Sequence, residues 1–259
     1  MCRQLAYLGP PVPFGELLVA PEHGLYRQSW APRQQRHGTV NADGFGVGWY
    51  APDDPVPARY RRQGPVWADE SFADLARVVR TGALLGAVRD ATVRGADGEA
   101  AAAPFADGPW LFGHTGAVRG WPDSLAALAG LLPPVDLLTL AARSDSALVW
   151  ALVRHRLRQH SAGRGASHDR AGEALADTVR EVAAAAPGSR LNLLLTDGSA
   201  ILATAWGDAL WYLLGPGPRV VVASEPYDDD PLWQPAPDRS LLVASPTDVR
   251  LTALEEPAV

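Results

Sequence analysis

The sequence contains no lysine; all 23 of its basic residues are arginine. That absence excludes a Schiff-base lysine, and with it ordinary pyridoxal phosphate chemistry and a Walker-type phosphate lysine. Cationic recognition falls to arginine, whose guanidinium pairs with carboxylates in bidentate fashion. A substrate carrying a carboxylate therefore suits this chain better than one needing a catalytic amine. Cysteine is almost absent as well: Cys2 stands alone, which rules out an intramolecular disulfide and a cysteine-based zinc site. No apolar run approaches the roughly 18 residues of a membrane span, and no charged leader precedes an apolar stretch. The net charge of −6 comes without a basic cluster, so neither nucleic acid nor a membrane surface is an expected partner. A cytoplasmic protein is expected. Its 259 residues, 47% of them hydrophobic, are read as one domain over 1–259.

The lone cysteine sits beside the lone methionine, in Met1-Cys2-Arg3. Cysteine is small enough for Met1 to be removed, which would give Cys2 a thiol and a free α-amino group together. An α-amino group titrates near ~8 and a thiol near ~8.5, so the pair forms a nucleophile with its own base. Taken alone, Cys2 is as well explained as a chance residue on a fraying end. Leu5 to Leu8 read as a short buried strand closed by the turn Gly9-Pro10-Pro11.

Val12 to Val40 is expected to be irregular and to wrap the surface. Asn41-Ala42-Asp43 then leads into the glycine-spaced strand Gly44-Phe45-Gly46-Val47-Gly48-Trp49, where small residues let a backbone or ligand approach closely. A nucleotide-binding loop is disfavoured there, because Pro52 and Pro55 follow where a helix should. Ala58 to Arg62 reads as a hairpin strand, Phe72 to Val79 as a short helix, and Leu84 to Val88 as a buried strand delivering Arg89 to its end. Gly95 to Gly108 is expected to be a mobile loop. Trp110 to Val118 resumes the sheet. Helices are expected at Leu125 to Leu132, twice within Asp136 to His160 with Ser144 or Asp145 as cap, and at Ala171 to Ala186, whose Leu175, Val179 and Val182 share one face. Strands follow at 191–196, 201–206, 210–214, 220–224 and 241–244, and the turns Asp197-Gly198 and Gly207-Asp208 suggest a meander. Strands, then helices, then strands imply two face-to-face sheets with helices outside.

Taken together, Met1-Cys2, the 41–50 segment, Val88-Arg89 with Ala91-Thr92, His114 with Gly116, Ser144-Asp145-Ser146 and Ala223 to Asp230 resemble a class II glutamine amidotransferase. More narrowly, the chain resembles stand-alone members of the ergothioneine pathway that hydrolyse γ-glutamyl-hercynylcysteine sulfoxide. The resemblance implies an α+β N-terminal-nucleophile hydrolase fold, an αββα four-layer sandwich with two mainly antiparallel sheets between helical layers. It also implies attack by Cys2 on a γ-glutamyl amide, the α-amino group as base, a thioester intermediate, and no cofactor or metal. By the same likeness Arg89 binds the substrate's α-carboxylate and Asp145 its α-ammonium, with Thr92 nearby and His114 in support. Without it, Arg89 reads as a salt-bridge residue, Asp145 as a helix cap, His114 as a satisfied strand histidine and Glu225 to Asp230 as a solvated acidic turn.

Two positions depart from the family's pattern. His114-Thr115-Gly116 replaces His-Asn-Gly, so the oxyanion keeps the Gly116 amide but loses the asparagine amide, a change that typically costs about 10²–10³ in rate unless the Thr115 hydroxyl compensates. Ala147 stands where relatives often carry glutamate. The implied partner is a small γ-glutamyl substrate, whose other half is assigned to Trp30, Arg33, Arg36, His37 and Trp110; a homodimer is compatible with the sequence. A glutaminase subunit feeding ammonia to a separate synthase, and a catalytically weakened γ-glutamyl-binding protein, are the alternatives.

Overall fold

The computed structural model describes residues 2–91, 98–161 and 167–255. Met1, Thr92 and the start of the expected 95–108 loop lie outside these residues.

Two antiparallel sheets form the centre. In the first, β1 (Arg3–Pro13) runs between β4 (Arg80–Arg89) and β10 (Val220–Ala223), with Leu5 opposite Gly86 on one side and Ala223 on the other. Beyond β4 lie β2 (Gly44–Trp49) and β3 (Ala58–Arg62); beyond β10 lie β9 (Trp211–Leu214) and β11 (Gln234–Pro235). The second sheet runs in the order β5 (Phe105–Asp107), β6 (Trp110–Ala117), β7 (Arg190–Thr196), β8 (Ile201–Ala205), β12 (Ser240–Ser245) and β13 (Asp248–Ala253).

The two-residue period of each strand sorts side chains into layers. Along β1, Ala6 and Leu8 face inward and pack between the sheets with Leu111, Leu194 and Ala203. Leu5 and Tyr7 face outward into a second cluster, beneath α1 (Gly15–Leu18), α2 (Leu25–Gln28) and α3 (Glu70–Val78). On the far side, Phe112, Leu191 and Leu193 pack against α6 (Asp145–Ser161) and α7 (His168–Ala185) through residues such as Trp150, Leu175 and Val179. Helix, sheet, sheet, helix is the resulting order, as the resemblance implied. The short helices α4 (Ala126–Ala129) and α5 (Pro134–Leu138) join β6 to α6. No helix among the described residues is long and apolar enough to cross a membrane.

Several local expectations need correction. The first strand does not stop at Gly9-Pro10-Pro11: the register with β4 shifts between Leu8 and Val12, and the Tyr7 hydroxyl donates to the Pro10 carbonyl at 2.7 Å, so the prolines sit in an irregularity rather than a turn. Val12 to Val40 contains the two short helices α1 and α2. The described part of the 95–108 loop holds a 3₁₀ turn (Gly98–Ala101) and β5. Only the four-residue α4 and a 3₁₀ turn (Asp123–Leu125) occupy the helix expected at 125–132.

The largest correction concerns Gly207-Asp208. The meander ends at β8, whose two neighbours are β7 and β12, and the chain then crosses to β9 in the other sheet. The Asn192 side chain takes over the pairing that a hairpin would have supplied. Its amide donates to the carbonyls of Asp208 and Ala209, both at 3.0 Å, and its oxygen accepts from Trp206 N at 2.8 Å.

The glycines of β2 fulfil the close approach expected of them. A Cβ on Gly46 would stand 2.4 Å from the Ala103 carbonyl oxygen, and one on Gly48 2.8 Å from Leu111. Backbone fills the space over Gly46, and the side chains of Leu111 and Pro104 fill that over Gly48.

Candidate functional site

Cys2 emerges at the end of β1. Arg3 pairs with Val88, so the nucleophile candidate lies beside the end of β4, with its Sγ 3.9 Å from the Asp90 carbonyl oxygen. Alternation along the strand places Gln4 on the same side, toward the second sheet. Cys2, Gln4, Arg89, His114, Thr115 and Ser146 line one cavity between the sheets. Burial pushes the Cys2 thiol above its ordinary value; the Asp145 carboxylate adds to that shift and the Arg89 guanidinium opposes it.

Arg89 is held by its backbone. Asp43 N donates to the Arg89 carbonyl at 2.9 Å, and the Asp43 carboxylate accepts from Ala91 N at 2.8 Å. No ion pair among the described residues occupies the Arg89 guanidinium. Asp145 opens α6, but the capping role falls to its neighbour: the Ser144 hydroxyl accepts from Ala147 N at 3.3 Å. The Asp145 carboxylate instead accepts from Val118 N at 3.0 Å and from Ser146 N at 2.8 Å, which ties the helix to the end of β6. It stays a buried carboxylate with acceptor capacity left over.

His114 is committed to the structure. Its Nε2 lies 3.0 Å from the Arg190 carbonyl oxygen, which can only accept, so Nε2 carries the proton and Nδ1 accepts from the Ser146 hydroxyl at 3.0 Å. Thr115 is buried, and its hydroxyl has no hydrogen-bond partner among the described residues. Gly116 has φ 144°, and a Cβ there would stand 2.0 Å from the Arg190 carbonyl oxygen. Only glycine fits that point of β6.

The acidic turn is solvated only in part: Asp229 is exposed, but Glu225 is not. Glu225 is fully buried, and its carboxylate accepts from the backbone N–H groups of Arg33 and Gln34 at 2.9 and 2.8 Å. Asp228 accepts from the Trp233 indole at 2.7 Å. Among the residues assigned to the other half of the substrate, Arg33 is bound to Asp229 and to the Pro226 carbonyl, and Trp30 stands edge-on to Tyr26 and Trp67. Arg36 and His37 are exposed. Sequence reasoning missed Gln4 and, though it quoted the motifs that hold them, gave Asp43, Ser146 and Glu225 no role in the site. A signal existed for Gln4, a lone amide in an apolar strand two residues from the thiol.

Residues 25–228 match the family described as Glutamine amidotransferases class-II. The chain is 43% identical over 256 residues to the gamma-glutamyl-hercynylcysteine sulfoxide hydrolase of Mycolicibacterium smegmatis, covering 98% of this chain and all of that one. It is 41% identical to the hydrolase of the same name from Mycobacterium tuberculosis, over 98% of this chain and 97% of the relative. Among solved structures, a glutamine aminotransferase class-II domain protein from Silicibacter pomeroyi superposes with a TM-score of 0.66 at 22% identity, covering 98% of this chain and 100% of that one. That likeness speaks for the fold.

Proposed function

This chain belongs to the class II glutamine amidotransferases, and we propose that it hydrolyses the γ-glutamyl amide of γ-glutamyl-hercynylcysteine sulfoxide, releasing glutamate and hercynylcysteine sulfoxide. The observation that carries this reading is the 43% identity, end to end, with a hydrolase of that name. The geometry supports it, since Cys2 and Arg89 line one cavity and Asp145 is the neighbour of Ser146, which lines it too.

In the proposed mechanism the catalytic domain spans 1–259 and matures by loss of Met1. The Cys2 α-amino group takes the thiol proton as Sγ attacks the γ-carbonyl carbon. The C–N bond then breaks, the proton passes to the leaving amine, and a thioester remains. Water attacks the thioester, glutamate leaves, and the thiol regains its proton. Arg89 holds the α-carboxylate and Asp145 the α-ammonium, so the two ionised ends of the glutamyl group are read together. Thr92, three positions after Arg89 in sequence, is assigned to the same substrate group by the family resemblance alone. Gly116 and Thr115 serve the oxyanion, with His114 fixing the strand between them and α6. A cytoplasmic location fits the single free thiol.

Glutamate release from equimolar γ-glutamyl-hercynylcysteine sulfoxide and glutamine tests the reading, on protein shown by intact mass to lack Met1. Release from the conjugate, abolished in Cys2→Ala, is the expected result. Release from glutamine alone would replace the reading with a glutaminase, and release from neither would end it.

A further inference from the structure

Two buried polar atoms in the site have no hydrogen-bond partner among the described residues, and both belong to residues lining the cavity at Cys2: Gln4 Oε1 and Thr115 Oγ1. Each residue is about 1% exposed. The orientation of the Gln4 amide is fixed, because its Nε2 donates to the Asn192 carbonyl at 3.0 Å and only the nitrogen can face that acceptor. Its oxygen is thereby turned away from Asn192, over Gly113, where a Cβ would stand 2.5 Å from it. Thr115 is two residues further along β6, on the same face, and pairs with Asn192. An amide acceptor and a hydroxyl thus meet the same space, next to the sulfur.

Leaving either atom unpaired costs more than hydrogen bonding to it, and buried polar groups of this kind are usually satisfied by water. The geometry points to a structural water held between Gln4 and Thr115 that acts as an oxyanion donor. This inference rests on the γ-glutamyl hydrolase reading above. The water accepts the Thr115 O–H, donates one proton to Gln4 Oε1, and directs the other at the oxygen of the γ-carbonyl under attack. Three hydrogen bonds are the usual complement of a buried water. A threonine hydroxyl is shorter than an asparagine amide, and the water supplies the missing reach. Gln4 is on this account a positioning residue: it orients a donor without touching the substrate.

Diffraction from crystals of Cys2→Ala supplies the direct test. An ordered water within hydrogen-bonding distance of both Gln4 Oε1 and Thr115 Oγ1 is expected, lost in Thr115→Val and kept in Thr115→Ser; no density there in Cys2→Ala overturns the inference. Kinetics supply the second. Gln4→Met and Thr115→Val should each lower kcat by about ten- to a hundredfold with KM changed less, at or below the loss from a direct oxyanion donor. Because both remove the same water, the double variant should be no slower than the slower single one, whereas multiplicative losses count against it. In a Thr115→Asn background, where the side-chain amide donates directly, Gln4→Met should cost no more than about twofold; an undiminished cost there also overturns the inference. Should Gln4→Met fail to fold, the Thr115 variants and the diffraction decide alone. An inactive wild type would sink the proposed function while leaving the diffraction result to judge the water. An active wild type without the water would do the reverse.

Discussion

Arg3 and Glu225 face each other in the interior, Nη1 to Oε2 at 3.9 Å, with side chains 1% and 0% exposed. One follows the nucleophile directly; the other holds the loop at Arg33 and Gln34 by its backbone amides. Removing the carboxylate in Glu225→Ala leaves a buried guanidinium and two backbone donors without their partner. The expected cost is about 3–5 kcal/mol, read from the urea midpoint at unchanged m-value.

The charges around the thiol make opposite demands. Burial raises the Cys2 thiol and Asp145 raises it further, while Arg89 lowers it. Alkylation by iodoacetamide, which consumes the thiolate, should therefore reach half its limiting rate above the ~8.5 of a free thiol. Asp145→Asn should move that midpoint down and Arg89→Gln should move it up. Shifts in the reverse sense would show that these residues do not face the sulfur.

Gly116→Ala places a methyl 2.0 Å from the Arg190 carbonyl oxygen at a backbone angle that side chains rarely adopt. The end of β6 must move away from β7. A loss of at least about 2 kcal/mol is expected on unfolding, together with a fall in kcat as the oxyanion donors shift. Unchanged stability would show the strand end to be more pliable than its contacts imply.

His114→Ala breaks the hydrogen bonds to Ser146 and to the Arg190 carbonyl. About 1–3 kcal/mol of stability should go with the carbonyl left unpaired. Since His114 positions rather than reacts, the pH profile of the surviving activity should keep its shape, which steady-state rates across pH would check.

The layer order was legible in the sequence because alternation along β1 and β6 and the helical face of α7 report burial directly. Arg89 and Asp145 were legible only through the family resemblance, since each has an ordinary use on a surface or at a cap. Ser144 in fact takes the cap. The crossing at Gly207-Asp208 was misread because a two-residue turn between apolar runs looks the same whether the next strand pairs or changes sheet. What decides it is Asn192, 15 residues earlier in number and recognisable only once its side chain is seen spanning the link. Glu225 was hidden by its company: followed by three aspartates, it reads as part of a wet run, yet its partners are backbone groups almost 200 positions away.

The interior placement of β1 also bears on synthesis. Residues 5–8 are made more than 200 positions ahead of one of their two partner strands, 220–223. Gln4 likewise waits for Ser224, which binds it from both backbone directions. The strand that presents the thiol can be half-seated once β4 has been made, and is clamped only when β10 has followed. Translation itself thus times the protein: a truncated product retains the cysteine but lacks the strand that locks it in place.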